Sequence, residues 1–276
     1  MNDQILSRAI SAIENADALM ITAGAGIGVD SGLPDFRGDE GFWKAYPPIA
    51  KRGIRFTEMA NPGWFKSDPG LAWAFYGHRL NLYRNTVPHQ GFSMLLELGQ
   101  NMSEGYFVFT SNVDGQFQEA GFENSRIAEC HGSIHHFQCS HPCNDDIWDA
   151  VDEVVVVDEE SFEARQPLPR CKSCGELARP NILMFGDWGW VSERSSDQEY
   201  RLSDWLSGLR ERSKRLVVIE IGAGQAVPTV RMQSENMVSR LNATLIRINP
   251  REDHVPTGQI SIRAGGLEGI KAICSL

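Results

Sequence analysis

Four of the six cysteines stand in two close pairs: three residues separate Cys139 from Cys143 and two separate Cys171 from Cys174. Two such pairs can close a tetrahedral cage of thiolates around Zn2+, and in a chain of this length spaced cysteines read more readily as metal ligands than as disulfides. Free thiols in a reducing compartment are the plain alternative. His141, inside the first pair, is a substitute ligand, although four sulfurs are favoured. A metal here would stabilise a segment with little apolar core of its own and would take no part in catalysis. Cys130 and Cys274 are unpaired by spacing and suit buried core positions. A second group is glycine-rich: Gly24, Gly26 and Gly28 directly follow the apolar run Ala18 to Thr22. Glycines at such a place let backbone amides and a helix N-terminus come close to a pyrophosphate, and a tight strand-to-helix turn would have the same pattern.

These residues need elements to hold them. Residues 3 to 16 place Ile5, Ala9, Ile10 and Ile13 on one helical face. Short apolar runs then recur at Ala18 to Thr22, Tyr106 to Thr110, Leu216 to Ile221, Leu245 to Ile248 and Ile260 to Ile262, with room between them for crossover helices. This predicts an α/β fold, a doubly wound Rossmann-like parallel sheet. The tails of four runs, GAGIG, SNVDG, GAGQAVP and NPRE, should converge on one crevice, because open α/β sheets bind ligands outside the carboxyl ends of their strands. Residues 132–180 shift to Cys, His, Pro and acid and predict a small inserted zinc-binding module, with 1–131 and 181–276 forming the nucleotide-binding domain. The acidic stretch VDEVVVVDEESFE inside the insert reads as a strand or as a solvated loop.

The continuation of the glycine turn, GAGIGVDSGLPDFRG, resembles the signature of the sirtuin family of NAD-dependent protein deacylases. Further pieces resembling that family follow in its order over nearly the whole chain: TSNVDGQFQEAG, ECHGSIHHFQC, the cysteine pairs, RPNILMFGD, IGAGQAVP and INPRE. The resemblance implies that acyl-lysine oxygen attacks C1′ of the nicotinamide ribose, that nicotinamide leaves, and that His131 as general base deprotonates a ribose hydroxyl. The products are O-acyl-ADP-ribose and free lysine. It implies roles for Asn112 and Asp114 in orienting a catalytic water and holding the carboxamide, although an Asx turn would use either residue equally well. Gly24, Ala25, Gly26, Ser111 and Gly222, Ala223 and Gly224 would contact NAD, and Asn249 the adenosine ribose. Within PDFRG, Asp35 would fix the loop, Phe36 would shield C1′ and Arg37 would face phosphate or ribose. Met184, Phe185 and Gly186 on one side and Val227 on the other would pair with the peptide. Tyr76 and Arg79, three apart on one helix face, match the FYxxR arrangement with which desuccinylating and demalonylating sirtuins bind a distal carboxylate; an exposed arginine paired with acid is the alternative. His135 and His136 suit solvated or core roles.

The chain departs from the family's pattern at Ser111, Phe117, Gly28, the Gly222–Gly224 triplet and Asp187, where glutamine, histidine, serine, Gly-Thr-Ser and glutamate are usual. Protein ADP-ribosyl transfer or NAD hydrolysis, which need the same nicotinamide cleavage, and a noncatalytic NAD-sensing or peptide-binding module are the rival readings. Composition narrows the rest. With 42% hydrophobic and 22% charged residues the chain is globular in type, and no apolar run approaches the roughly 18 residues of a membrane span. No signal peptide is expected, so the expectation is a cytoplasmic enzyme. A net charge of −10 disfavours nucleic acid and makes a basic, lysine-bearing peptide the natural partner. Such a chain must hold anionic NAD with local amides.

Overall fold

The computed structural model describes residues 2–34 and 38–274, so Asp35, Phe36 and Arg37 lie outside the described residues. Three strands, β1 (Ala18–Ala23), β2 (Tyr106–Thr110) and β3 (Ile127–Glu129), begin the main sheet. The chain then leaves it for β4 (Gly132–Cys139), β5 (Ile147–Asp149), β6 (Val157–Asp158), β7 (Glu163–Ala164) and β8 (Ala178–Ile182), and returns as β9 (Leu216–Ile221), β10 (Thr244–Ile248) and β11 (Ile260–Ile262). The sheet order is β11-β10-β9-β1-β2-β3, and the pairings between neighbouring strands are parallel. This is the doubly wound order, in which the strand sequence reverses between β1 and β9 and opens a crevice at their carboxyl ends. The central strands are buried on both faces, as their continuous apolar runs require. On one face Ile21, Val108, Ile219 and Ile246 share a core with Ile13, Leu95 and Ile270, from the helices Asp3–Glu14, Gln90–Gln100 and Gly266–Cys274. On the other, Met20, Val218 and Leu245 pack with Leu202 and Leu209 of Glu193–Glu211 and with Val230 and Met237 of Thr229–Leu241.

The inserted segment is antiparallel. β4 lies between β5 and β8, and β6 pairs with β7, so the acidic stretch contains a two-stranded ladder. Its buried residues Ile134, Phe137, Val155 and Phe162 join one core with Phe42, Trp73 and Phe75 from the helices Gly38–Ala45 and Pro69–Arg84. Segments 38–84 and 132–180 therefore share apolar packing, and the insert has more core than its sequence promises. Among the described residues no helix is long and apolar enough to cross a membrane.

Candidate active site and metal centre

At the switch point the turns after β1 and β9 touch backbone to backbone. A Cβ on Gly222, whose φ is +63°, would lie 2.4 Å from the Gly26 carbonyl carbon, and one on Gly24 would lie 2.8 Å from the Ala223 Cα. Only glycines allow this approach. Gly26 N donates to Gly222 O at 3.1 Å, and Gly222 N to Ile248 O at 3.1 Å, tying β1, β9 and β10 together at one rim. The rim is backbone and small side chains, with Ala25 exposed beside Gly24, the chemistry that suits a pyrophosphate. Asn249 is fully buried; its Nδ2 donates to Ala223 O at 3.0 Å and its Oδ1 accepts from Arg251 N and Glu252 N. Its side chain thus holds the Gly222–Gly224 turn and caps the NPRE turn.

β2 carries the next residues. Thr110 Oγ1 donates to Ala23 O at 3.0 Å and accepts from Asn112 N, while Asn112 Nδ2 donates to Gly24 O at 3.2 Å, so the 110–114 segment is fastened to the glycine turn. Asp114 is buried. Burial pushes its carboxyl up to about 6, against the hydrogen bond it accepts from Gln116 N at 2.9 Å. This last bond is an Asx turn, the local role that the sequence allows for Asp114. His131 lies where β3 gives way to β4. Its carbonyl accepts from Leu183 N at 3.0 Å and its ring bonds the Ser111 backbone; burial lowers the imidazole pKa below its usual 6.5, offset in part by that bond. Gly132 follows at φ +75°, where a Cβ would lie 2.1 Å from Asn181 O. His131 therefore stands between the 111–114 segment and the strand β8. His135 Nε2 bonds Asp114 O at 2.8 Å and is structural; burial lowers His136 to about 4. Phe117 is a core residue, packed edge-on to Phe92 at 5.0 Å.

Tyr76 and Arg79 are both buried on the helix Pro69–Arg84. The Arg79 guanidinium sits 5.2, 5.8 and 5.4 Å from the ring centres of Phe75, Tyr76 and Tyr83, and its Nε donates to Tyr83 Oη at 3.0 Å. The exposed arginine of the alternative reading is absent. Among the described residues Tyr76 Oη is a buried polar atom with no hydrogen-bond partner, a group that an incoming acceptor would satisfy. On the proposed peptide side, Met184 is buried and Phe185 is 41% exposed, as is Val227 on the opposite loop. Phe185 N donates to Ala60 O at 2.9 Å and its carbonyl accepts from Asn61 Nδ2 at 3.1 Å, so this segment is fixed to the 60–61 turn.

The four cysteines converge. Their sulfurs all lie within 4.8 Å of one another, with Cys139–Cys174 and Cys143–Cys171 both at 3.7 Å. A tetrahedron with Zn–S bonds of about 2.3 Å has edges of about 3.8 Å. Neighbouring thiols and burial push Cys143 up to about 12; burial opposes the Cys171 thiolate too, but amides of Cys174 and Ser173 outweigh it and bring that thiol to about 7. Four thiolates this close need a cation, and the donor set suits Zn2+. The exposed side chain of His141 is not part of the set; its carbonyl accepts from Cys139 Sγ.

Several supporting residues escape motif reading. Glu129, at the end of β3, is clamped by Arg194 at 2.5 Å and Gln198 at 3.1 Å, which seats the helix Glu193–Glu211 beside His131. Arg179 and Asp187 form a fully buried two-point pair at 2.7 and 3.0 Å that shapes the 184–189 turn. Arg247 pairs with Glu220 at 2.5 Å across matched positions of β10 and β9. The signal for these pairs was a charge inside an apolar strand run, which must find a counter-charge when buried.

The Sir2 family model matches residues 24–198. The NAD-dependent protein deacylase 1 of Archaeoglobus fulgidus is 30% identical over 258 residues, covering 92% of this chain and 90% of its own. An NAD-dependent protein deacylase of Thermus thermophilus is 27% identical over 275 residues, 96% and 92% of the two chains. A Sir2 homologue mutant bound to ADP ribose superimposes with a TM-score of 0.70 at 26% identity, covering all of this chain and 96% of its own. A Sir2 homolog–NAD complex does so at 0.67, with 26% identity and 100% and 93% coverage. With the doubly wound sheet, its glycine crevice and the four-cysteine cluster in place, the chain belongs to the Sir2 family.

Proposed function

We propose that the protein is an NAD-dependent protein-lysine deacylase yielding nicotinamide, O-acyl-ADP-ribose and free lysine. The observation that carries this reading is His131, whose half-buried imidazole meets the Ser111 backbone while its own carbonyl accepts from Leu183 N at 3.0 Å. It thereby stands between the proposed nucleotide loop and the proposed peptide segment. NAD, when bound, supplies the ribosyl–nicotinamide bond whose cleavage activates the ribose carbon. His131, neutral at pH 7, accepts the proton of a ribose hydroxyl at its ring nitrogen. Asn112 and Asp114 orient the carboxamide and a water, with Gly24–Gly26, Ser111 and Gly222–Gly224 lining the phosphates and Asn249 setting the adenosine rim. Asp35, Phe36 and Arg37 keep the roles that the resemblance implies.

The peptide runs between Met184–Gly186 and Val227, in the cleft between the sheet unit (1–131, 181–276) and the inserted unit (132–180), which shares its core with helices before residue 84. Tyr76 and Arg79 favour acyl groups ending in a carboxylate, succinyl or malonyl, because a charged fork and an unpartnered hydroxyl both reward an anionic acceptor. Cys139, Cys143, Cys171 and Cys174 hold a structural zinc. A reducing cytoplasm keeps these thiols available. Incubation with NAD and acetylated or succinylated peptides, with nicotinamide and peptide mass followed together, tests the reading. Peptide-dependent nicotinamide release with loss of the acyl mass is expected. Peptide-independent release, or a mass gain on protein, would replace it with NAD hydrolysis or ADP-ribosyl transfer, and no release at all would leave a noncatalytic module.

A further inference from the structure

The turn that follows Met184–Gly186 carries a fully exposed indole. Trp188 keeps 100% of its reference surface, while Phe185 at 41% and Leu183 at 38% continue the apolar surface along the same segment. The turn beneath is tightly built. Asp187, locked to Arg179, also accepts from Met184 N at 3.3 Å and Gly189 N at 3.1 Å, and Asn61 grips the Phe185 carbonyl. The backbone of such a preorganised turn loses little freedom when a partner arrives, an indole has only two side-chain torsions to fix, and a run of exposed apolar side chains is suited to a contact.

Charge identifies the partner. A Cβ on Gly189 would lie 3.6 Å from Pro142, so the turn abuts the loop of the first cysteine pair, which continues into the exposed Asp145 and Asp146. Indole is the best ring for a cation over its face, and the exposed carboxylates on the adjoining loop carry the charge that attracts one. The chain's net charge of −10 has that sign too. We propose that Trp188 is a specificity-determining residue that receives an arginine or lysine side chain of the substrate, a few positions from the acylated lysine. This rests on the deacylase reading, with the peptide lying along Met184–Gly186. An extended peptide advances about 3.3 Å per residue, so the turn is in reach of side chains roughly two or three positions away.

The test is a set of dye-labelled acyl-lysine peptides in an alanine and glycine background, each with one arginine, glutamate or norleucine at a position within three of the lysine. Fluorescence polarisation reads affinity in the presence of NAD whether or not the acyl group is removed, and initial rates read KM. At one position arginine should bind about two- to five-fold more tightly than norleucine, and glutamate more weakly than both. Trp188→Ala should erase that preference and Trp188→Phe should keep part of it, while both leave the unsubstituted peptide's rate unchanged. An arginine preference that survives in Trp188→Ala, equal binding of arginine and norleucine at every position, or no peptide binding at all overturns the proposal. Absence of nicotinamide release with peptide binding and the Trp188-dependent preference intact would overturn the deacylase reading alone.

Discussion

His131 can take a proton only while neutral, and its burial makes neutrality the ordinary state at physiological pH. The acid limb of kcat/KM should therefore have its midpoint below 6.5 in initial-rate measurements; a midpoint at or above that value would remove His131 from the role. His131→Ala should lower deacylation by about 10²–10⁴-fold. Asp114 is displaced in the opposite sense: burial holds its folded pKa at about 6, above the usual carboxylate value near 4. For a raised pKa the stabilising contribution is full below the unfolded value and is lost as pH rises through the folded one. Asp114→Asn should therefore add stability of order 2 kcal/mol at pH 8 and almost none at pH 4, read as a melting-temperature gain only in the alkaline buffer, together with slower nicotinamide release. An equal gain in both buffers would show that the charge is not what matters. At the acyl pocket, Arg79→Met should raise KM for succinyl peptides far more than for acetyl peptides. Tyr83→Phe, which removes the hydroxyl accepting from Arg79 Nε, should do the same more weakly, by about three- to ten-fold. A parallel loss for both acyl types would mean that the pair supports the fold and not selectivity.

Among the elements, the parallel strands were legible because burial on both faces writes them as unbroken apolar runs: Tyr106–Thr110, Leu216–Ile221 and Ile260–Ile262 begin and end where the sequence places them. β3, three residues long at the sheet edge, has no such signature. β4 and β8 were illegible for a different reason. GSIHHFQC and ARPNI mix polar and apolar residues, and two of their polar side chains find partners outside their own strand, Asn181 Nδ2 on Gln138 Oε1 at 2.9 Å and Arg179 on Asp187 of the turn after β8. Cysteine spacing marked the metal centre, but not that its segment would share a core with helices a hundred residues earlier. That shared core changes what metal removal should do. β8 runs from the cysteine segment straight into Leu183, which holds the His131 carbonyl. A strong chelator should release about one equivalent of zinc and lower the melting temperature. Deacylation should be lost with it, while the far-ultraviolet spectrum keeps the signal of the main sheet. Full activity after complete metal release would uncouple the cysteine cluster from the site.

Across the whole molecule, an excess of ten negative charges is carried by a chain whose cleft is proposed to receive two oppositely charged reactants. A basic peptide is drawn in by the general field, whereas NAD is anionic and must be held against it by amides at the Gly24 and Gly222 turns. The two attractions should respond to salt in opposite directions, because screening shortens the field from about 10 Å at 0.1 M to about 3 Å at 1 M and leaves contacts at hydrogen-bond distance largely intact. Raising potassium chloride from about 0.05 to about 0.5 M should therefore increase KM for a lysine- and arginine-rich acyl peptide several-fold. KM for NAD should stay constant or fall, since the repulsion is screened more than the short amide contacts. A neutral acyl peptide, run beside the basic one, separates this effect from any loss of fold. If the basic and neutral peptides weaken equally with salt, the acidic surface plays no part in substrate capture, and recognition lies wholly in the contacts of the cleft.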